Sequence, residues 1–274
     1  MGLPTPSSAA GRTGVAALLE RPGEALLGLD FDGTLAPIVP DPDAARAHPD
    51  VPPALARLAP RLGRVAVITG RPAEIAVDYA SLADVDRLVV LGHYGLERWE
   101  GGRVIAPPDD PAITEARTRV PTLLTELGVS DAYVEDKGRA IAVHVRRTAD
   151  PRATFDLVAP RLRALADELG LAVEPGRMVV ELRPSGGDKG DALRSLVAEQ
   201  PPSAVVFIGD DLGDLPAFAA VETLRGDGLP GLLVCSGSTE VTEVAERADL
   251  VVDGPAGVAE LLQALADELE LRAG

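Results

Sequence analysis

Six short apolar runs constrain the fold of this chain more than any other feature. They are Ala25-Leu-Leu-Gly-Leu-Asp30, Arg64-Val-Ala-Val-Ile-Thr69, Arg87-Leu-Val-Val-Leu91, Ala204-Val-Val-Phe-Ile-Gly209, Leu232-Leu-Val-Cys235 and Asp249-Leu-Val-Val252. None shows the apolar/polar alternation of a strand with one wet face, so each reads as a strand buried on both faces of a parallel sheet. Helical patterns fall between them: Val51 to Leu62, Pro72 to Leu82, Asp188 to Ala198, Leu215 to Val221, Thr239 to Arg247 and Ala256 to Leu269. Alternating strand and helix predicts an α/β, Rossmann-like, doubly wound parallel sheet. Aromatic residues make up only 3% of the chain, so its core must be built from Ala, Val and Leu.

The middle of the chain breaks this rhythm. Between residues 107 and 183 a helix (Pro111 to Leu127) precedes two strands, Ala132 to Glu135 and Arg139 to Arg147, joined by a tight Asp136-Lys137-Gly138 turn. A second helix (Pro151 to Leu169) leads to the strands Leu171 to Glu174 and Met178 to Leu182, joined around Pro175-Gly176. Helix-hairpin-helix-hairpin is an α+β pattern, and it predicts a second domain inserted into a core made of 23–106 and 184–274. Residues 1–22 read as a flexible leader as far as Gly14, followed by a short helix ending at Glu20.

Charge and composition exclude several function classes. With 43 acids against 26 Lys and Arg, the formal net charge is −17. A duplex nucleic-acid binder needs cations to displace counterions, and docking to an anionic membrane needs them too. No apolar run approaches the roughly 20 residues that span a bilayer, and the start lacks the basic and apolar stretches of a secretory signal. The lone Cys235 has no internal disulfide partner, which fits a reducing compartment. The expectation is a cytoplasmic monomer with no evident protein partner, acting on a small molecule.

Ligands of open parallel sheets bind outside the carboxyl ends of the strands. Three runs end in chemically useful groups: Asp30-Phe-Asp32-Gly-Thr34, Thr69-Gly-Arg71 and Asp210-Asp211-Leu-Gly-Asp214. A fourth polar element, Gly186-Gly-Asp-Lys189-Gly190, sits at a helix start. Asp30 can attack an electrophile and ligate a hard cation. Asp210, with Asp211 or Asp214, can complete an all-oxygen site suited to Mg²⁺. Asp32 can protonate a leaving oxygen and then deprotonate a water. Gly33 lets the backbone turn sharply so that nearby N–H groups face an anion. Thr69 and Lys189 offer a hydroxyl and a compact cation to phosphoryl oxygens. A lone acid after a strand is usually a turn or helix-cap residue; four such elements in this order are the parts of phosphoryl transfer through an aspartyl-phosphate.

Asp30-Phe-Asp-Gly-Thr-Leu35 resembles the first motif of the haloacid dehalogenase superfamily of phosphotransferases. Thr69, Lys189 and Gly209-Asp210-Asp211-x-x-Asp214 resemble its second, third and fourth motifs. The likeness implies Asp30 as nucleophile, Asp32 as general acid/base, and Thr69 and Lys189 as phosphate ligands. It also implies Mg²⁺ held by Asp30, the Asp32 carbonyl and Asp210, with Asp211 and Asp214 in the acidic cluster and Asp214 supporting. Gly33, Thr34, Gly70 and Arg71, inside the first two motifs, join the substrate-binding set. The insertion between the second and third motifs is similar to a C2 cap.

A narrower resemblance, from Leu26 to Leu262, is to the trehalose-6-phosphate phosphatases. It rests on Asp30 to Ile38, Ala66 to Arg71, Tyr94-Gly-Leu-Glu97, Val134 to Gly138, Ala142 to Arg146, and Val180 to Pro184 before Asp188-Lys-Gly190. It implies that Glu135, Lys137 and Glu181 grip sugar hydroxyls as the cap closes, with His144, Arg146 and Arg183 as further candidates. Two stretches depart from the family pattern. Gly213-Asp214-Leu-Pro-Ala-Phe218 replaces Thr-Asp-Glu-Asp-Ala-Phe, and Gly92-His-Tyr-Gly95 replaces Gly-Ser-His-Gly. The implied function is Mg²⁺-dependent hydrolysis of trehalose 6-phosphate. The alternatives are a phosphatase for sucrose, glucosylglycerate or pseudo-disaccharide phosphate, and a silent sugar-phosphate sensor. A phospho-accepting receiver fits neither the length nor the Asp-x-Asp at the first strand end.

Overall fold

The Val- and Leu-rich runs do form strands, and the first and fourth of them carry Asp30 and Asp210 to their carboxyl ends. The computed structural model describes residues 2–39, 41–176, 178–237 and 242–273. Contacts divide the chain into two units, Met1–Ala106 with Gly187–Gly274, and Pro107–Gly186. The inserted unit thus ends three residues beyond the expected boundary at 183.

The first unit opens with a correction. Residues read as a flexible leader form helix α1 (Ala9–Glu20), started by Ser8, whose Oγ accepts from Gly11 N–H at 2.8 Å. The glycines that made this stretch look loose are where the helix packs. A Cβ on Gly14 would lie 2.1 Å from the Gly231 carbonyl oxygen, and one on Gly11 would lie 2.5 Å from Asp249 Cβ. Strand β1 (Leu26–Leu29), helix α2 (Val51–Leu58), β2 (Arg64–Ile68), α3 (Ala73–Tyr79) and β3 (Leu88–Gly92) follow. Two further strands, β4 (Glu97–Glu100) and β5 (Arg103–Ile105), were not legible as strands. Their polar majority, Glu97, Arg98, Glu100 and Arg103, hides a single buried Trp99.

The inserted unit runs α4 (Pro111–Glu126), β6 (Tyr133–Asp136), β7 (Ile141–His144), α5 (Pro151–Leu169), β8 (Leu171–Gly176) and β9 (Val179–Pro184). Its antiparallel sheet has the order β6-β7-β9-β8. Ile141, Val143, Val180 and Leu182 pack with Ile113 and Val120 of α4 and with Val158 and Leu162 of α5. The pleat places alternate residues on the other face. There Glu135, Ala142, Glu181 and Glu174 form one cross-strand row.

The chain then returns through α6 (Lys189–Glu199), β10 (Val205–Gly209), α7 (Leu215–Gly226), β11 (Gly231–Ser236), α8 (Thr242–Arg247), β12 (Leu250–Val252) and α9 (Gly254–Ala273). The expected start of α8 at Thr239 lies outside the described residues. The first unit's sheet has the order β12-β11-β10-β1-β2-β3-β4-β5, parallel from β12 to β3 and antiparallel thereafter. Successive residues serve opposite layers. Leu27, Leu29, Val65 and Val67 join one core, whereas Leu26, Ala66, Phe207 and Phe218 join the other. No helix among the described residues is long and apolar enough to cross a membrane.

Strand order fixes where chemistry can occur. From β1 the chain moves to β2 and β3 on one side and later returns to β10 on the other. The crevice outside the ends of β1 and β10 is therefore the topological switch point. Asp30 and Asp210 are the residues that follow those two strands.

Candidate active site

Asp30 extends the β1 ladder by one bond, donating its N–H to the Ile208 carbonyl at 2.9 Å, and is 3% exposed. Lys189 is the first residue of α6, whose start is fixed by a reciprocal capping box between Asp188 and Asp191. Its Nζ donates to Asp30 Oδ1 at 2.5 Å and Asp214 Oδ1 at 2.8 Å. The other Asp214 oxygen accepts the N–H groups of Asp210 (2.9 Å) and Asp211 (3.2 Å), which fixes the loop after β10. Gly33, at φ +82°, completes the floor. A Cβ there would lie 2.0 Å from Asp210 Oδ2, so this position admits no side chain.

Asp30, Asp210 and Asp214 each offer a carboxylate oxygen, and the three atoms lie within 4.8 Å of one another. Burial raises Asp30 well above its ordinary value, with Lys189 opposing and Asp214 and Asp210 adding to the rise. Burial first, then Asp214 and Asp211, push Asp210 up to about 8. For Lys189 burial works against the charge, but Asp214 and Asp30 outweigh it and hold its pKa well above the usual value. One ammonium among three buried carboxylates leaves the cluster short of positive charge. An all-oxygen, anionic donor set of this kind fits a hard divalent cation.

The remaining candidates separate by position. Asp32 accepts from Arg71 Nε and Nη2 at 2.8 and 2.7 Å. Arg71 was expected among the substrate ligands; it is 9% exposed and lies over the rings of Phe31 and Tyr79. Thr34, expected at the substrate, is fully buried and directs its hydroxyl to Asp210 Oδ1 at 3.4 Å. Thr69 Oγ1 accepts from Arg71 N–H at 3.2 Å. Gly70 lies under the Tyr94 hydroxyl, where a Cβ would approach to 2.6 Å. Asp211 Oδ1 accepts from Gly213 N–H at 2.9 Å, capping a short 3₁₀ turn, and is not among the three clustered acids.

On the polar face of the inserted sheet, Lys137 Nζ meets Glu181 Oε2 at 2.6 Å and His144 Nε2 meets Glu135 Oε2 at 2.7 Å. Glu181 is 6% exposed, and its other oxygen, Oε1, is buried with no hydrogen-bond partner among the described residues. Such an oxygen carries a desolvation cost of about 1–3 kcal/mol until a donor reaches it. Arg183 donates to Glu174 at 3.1 Å, while Arg146 is exposed.

Ser236 carried no expectation. Fully buried at the end of β11, it donates to the Gly33 carbonyl at 2.7 Å and so anchors the turn between Asp32 and Thr34. The rule that polar residues after buried runs matter would have found it one residue beyond Cys235. His93 and Tyr94, noted in the sequence as a departure from the family pattern, were given no role in the site. Both adopt left-handed backbone, at φ 47° and 59°, and donate their N–H groups to the Arg71 and Thr69 carbonyls. Non-glycine residues held there cost roughly 1–3 kcal/mol each and cluster at functional sites.

A doubly wound sheet with a buried aspartate, a lysine and an acidic cluster at its switch point is a haloacid dehalogenase-like fold. In fold the chain resembles a haloacid dehalogenase-like hydrolase from Bacteroides thetaiotaomicron, with a TM-score of 0.57 at 19% identity over 88% of this chain and 99% of that one. The family model for trehalose-phosphatase matches residues 28–253, and the chain belongs to that family. It is 34% identical to a trehalose-phosphate phosphatase of Mycobacterium avium over 259 residues, 88% of this chain and 62% of the relative. It thus spans less than two thirds of that relative's length. The C-terminal domain of Candida albicans trehalose-6-phosphate phosphatase shares its fold, with a TM-score of 0.72 at 23% identity over 96% of this chain and 99% of that domain.

Proposed function

We propose that this chain is a Mg²⁺-dependent phosphatase that hydrolyses trehalose 6-phosphate to trehalose and phosphate. The observation that carries this reading is the buried Asp30, joined to Lys189 and set against Asp210 and Asp214 at the switch point. Membership of the trehalose-phosphatase family supports the substrate.

Asp30 attacks phosphorus in line, and the bond to the sugar oxygen breaks. Asp32, in its protonated form, gives that oxygen its proton. The sugar leaves, and the phosphoryl group remains on Asp30. Asp32, now a carboxylate, takes a proton from water. The resulting hydroxide attacks phosphorus, phosphate leaves, and Asp30 is restored. Lys189 and Thr69 stabilise the charge spread over the phosphoryl oxygens. Mg²⁺, when bound by Asp30, the Asp32 carbonyl and Asp210, supplies charge neutralisation. Asp214 holds the loop and Lys189. In the inserted unit, acting as a cap, Glu135, Lys137 and Glu181 bind sugar hydroxyls. The unpartnered Glu181 Oε1 supports that role.

Phosphate release from a panel of sugar phosphates tests the reading. Trehalose 6-phosphate is expected to give the highest kcat/KM, and equal or faster turnover of another disaccharide phosphate overturns it. Asp30→Asn is expected to remove turnover while sugar-phosphate binding, read by calorimetry, persists.

A further inference from the structure

The polar face of the inserted sheet holds an aromatic residue that neither the motifs nor the family likeness singles out. Along β6, Val134 packs toward the core beneath, so Tyr133 and Glu135 stand on the opposite face. Tyr133 pairs across the ladder with His144; their ring centroids are 5.6 Å apart and tilted by 40°. His144 is in turn fixed to Glu135 at 2.7 Å. The tyrosine ring is braced on one side yet remains 45% exposed. Phe155, the other Phe, Tyr or Trp of this unit, packs against the core. Tyr133 is therefore the aromatic surface that this unit offers to a ligand.

The neighbouring groups identify the kind of ligand. Glu181 Oε1 is buried and lacks a donor among the described residues; Lys137 pairs with its other oxygen, and Glu135 and His144 pair with each other on the same face. These groups suit hydroxyls. A pyranose also has faces made of C–H bonds, which carboxylates do not use and an aromatic ring does, at little cost in side-chain entropy. Tyr133 stands two strands and two residues away from Glu181 in the register. With strand spacing near 4.8 Å and a rise near 3.4 Å per residue, that is about 12 Å. Two linked pyranose rings cover such a span and one does not.

We propose that Tyr133 is a specificity-determining residue whose ring stacks on the C–H face of the unphosphorylated sugar of a disaccharide phosphate. This inference rests on the sugar-phosphatase reading above. A purely structural Tyr133, serving only as the cross-strand partner of His144, would alter stability without altering substrate preference.

The test compares kcat and KM for trehalose 6-phosphate and glucose 6-phosphate, which lacks the second ring, using the full chain. Tyr133→Ala is expected to raise KM for trehalose 6-phosphate about tenfold, with kcat changed less, and to lower the kcat/KM ratio of the two substrates about tenfold. Tyr133→Phe keeps the ring and should hold the ratio within about twofold. Tyr133→Leu, which keeps apolar bulk on the strand, replaces the alanine variant if that melts early and should lower the ratio similarly. An unmoved ratio, or an equal loss in Tyr133→Phe, overturns the assignment. If the wild-type chain prefers another sugar phosphate, the substrate reading fails, and the ratio is read with that substrate against its own phosphorylated monosaccharide. An unchanged ratio then overturns the role of Tyr133 as well, and a tenfold fall supports it.

Discussion

Arg71 serves the proposed chemistry through another side chain. Its Nε and Nη2 engage both oxygens of Asp32, while Phe31 and Tyr79 hold the guanidinium plane. A bidentate fork fixes both the position and the plane of a carboxylate, which a lysine ammonium does not. Arg71→Ala is expected to lower kcat for the sugar phosphate by about 10²-fold, because a misplacement near 1 Å can cost that much. KM should move less, and Arg71→Lys should fall between the two; steady-state kinetics check this. A large KM effect with unchanged kcat would make Arg71 a substrate ligand instead. Asp30, Asp32, Lys189 and Asp210 were legible in the sequence because each follows a buried run or starts a helix. The Arg71–Asp32 pair was not, since 39 residues separate the partners and only the parallel register of β1 on β2 brings them together. Ser236 could have been read from its place one residue beyond a buried run, but its partner Gly33, 203 residues away, could not.

At the scale of elements, apolar content decided what could be read. All six apolar runs became strands, but the sixth, expected to be buried on both faces, is the edge strand β12 with Val251 52% exposed; the helical patterns between them became helices with shifted ends. Strand β4 and the edge strand β5 failed to register because the outer end of the sheet buries little apolar surface: Arg98, for example, pairs with Glu100 and Glu199 instead of packing. Helix α1 was lost because glycine signals a loop in a sequence, whereas here it permits close approach. That reading gives a test whose sign is informative. In an exposed helix Gly→Ala stabilises by about 1 kcal/mol. At Gly14 the added Cβ would meet the Gly231 backbone at 2.1 Å, so the helix must shift. Gly14→Ala is expected to destabilise by about 1–3 kcal/mol, as overpacking does, read as a lower urea midpoint. A raised midpoint would mean that α1 does not pack there.

Over the whole molecule, charge is unevenly divided. The inserted unit has 13 acids and 11 bases, so −15 of the net −17 falls on the unit that holds the acidic cluster. Self-repulsion on that scale adds to the local cost of ionising Asp30 and Asp210. In the unfolded chain Asp210 ionises near 3.8, whereas in the fold, without a cation, its proton stays until about pH 8. Between these values the native state holds more protons than the unfolded one, so this group's contribution to stability falls as pH rises and levels off above about 8. The metal-free protein should therefore lose stability relative to Asp210→Asn as pH goes from 5 to 8. A divalent cation reverses the balance, because it binds the ionised carboxylates of the native state alone. At a hundred times its dissociation constant it adds ~3 kcal/mol. Thermal melting in EDTA and in Mg²⁺ across this range should show an increment in midpoint that grows with pH in the wild-type chain and is absent in Asp210→Asn. An increment of equal size in the variant would locate the cation elsewhere.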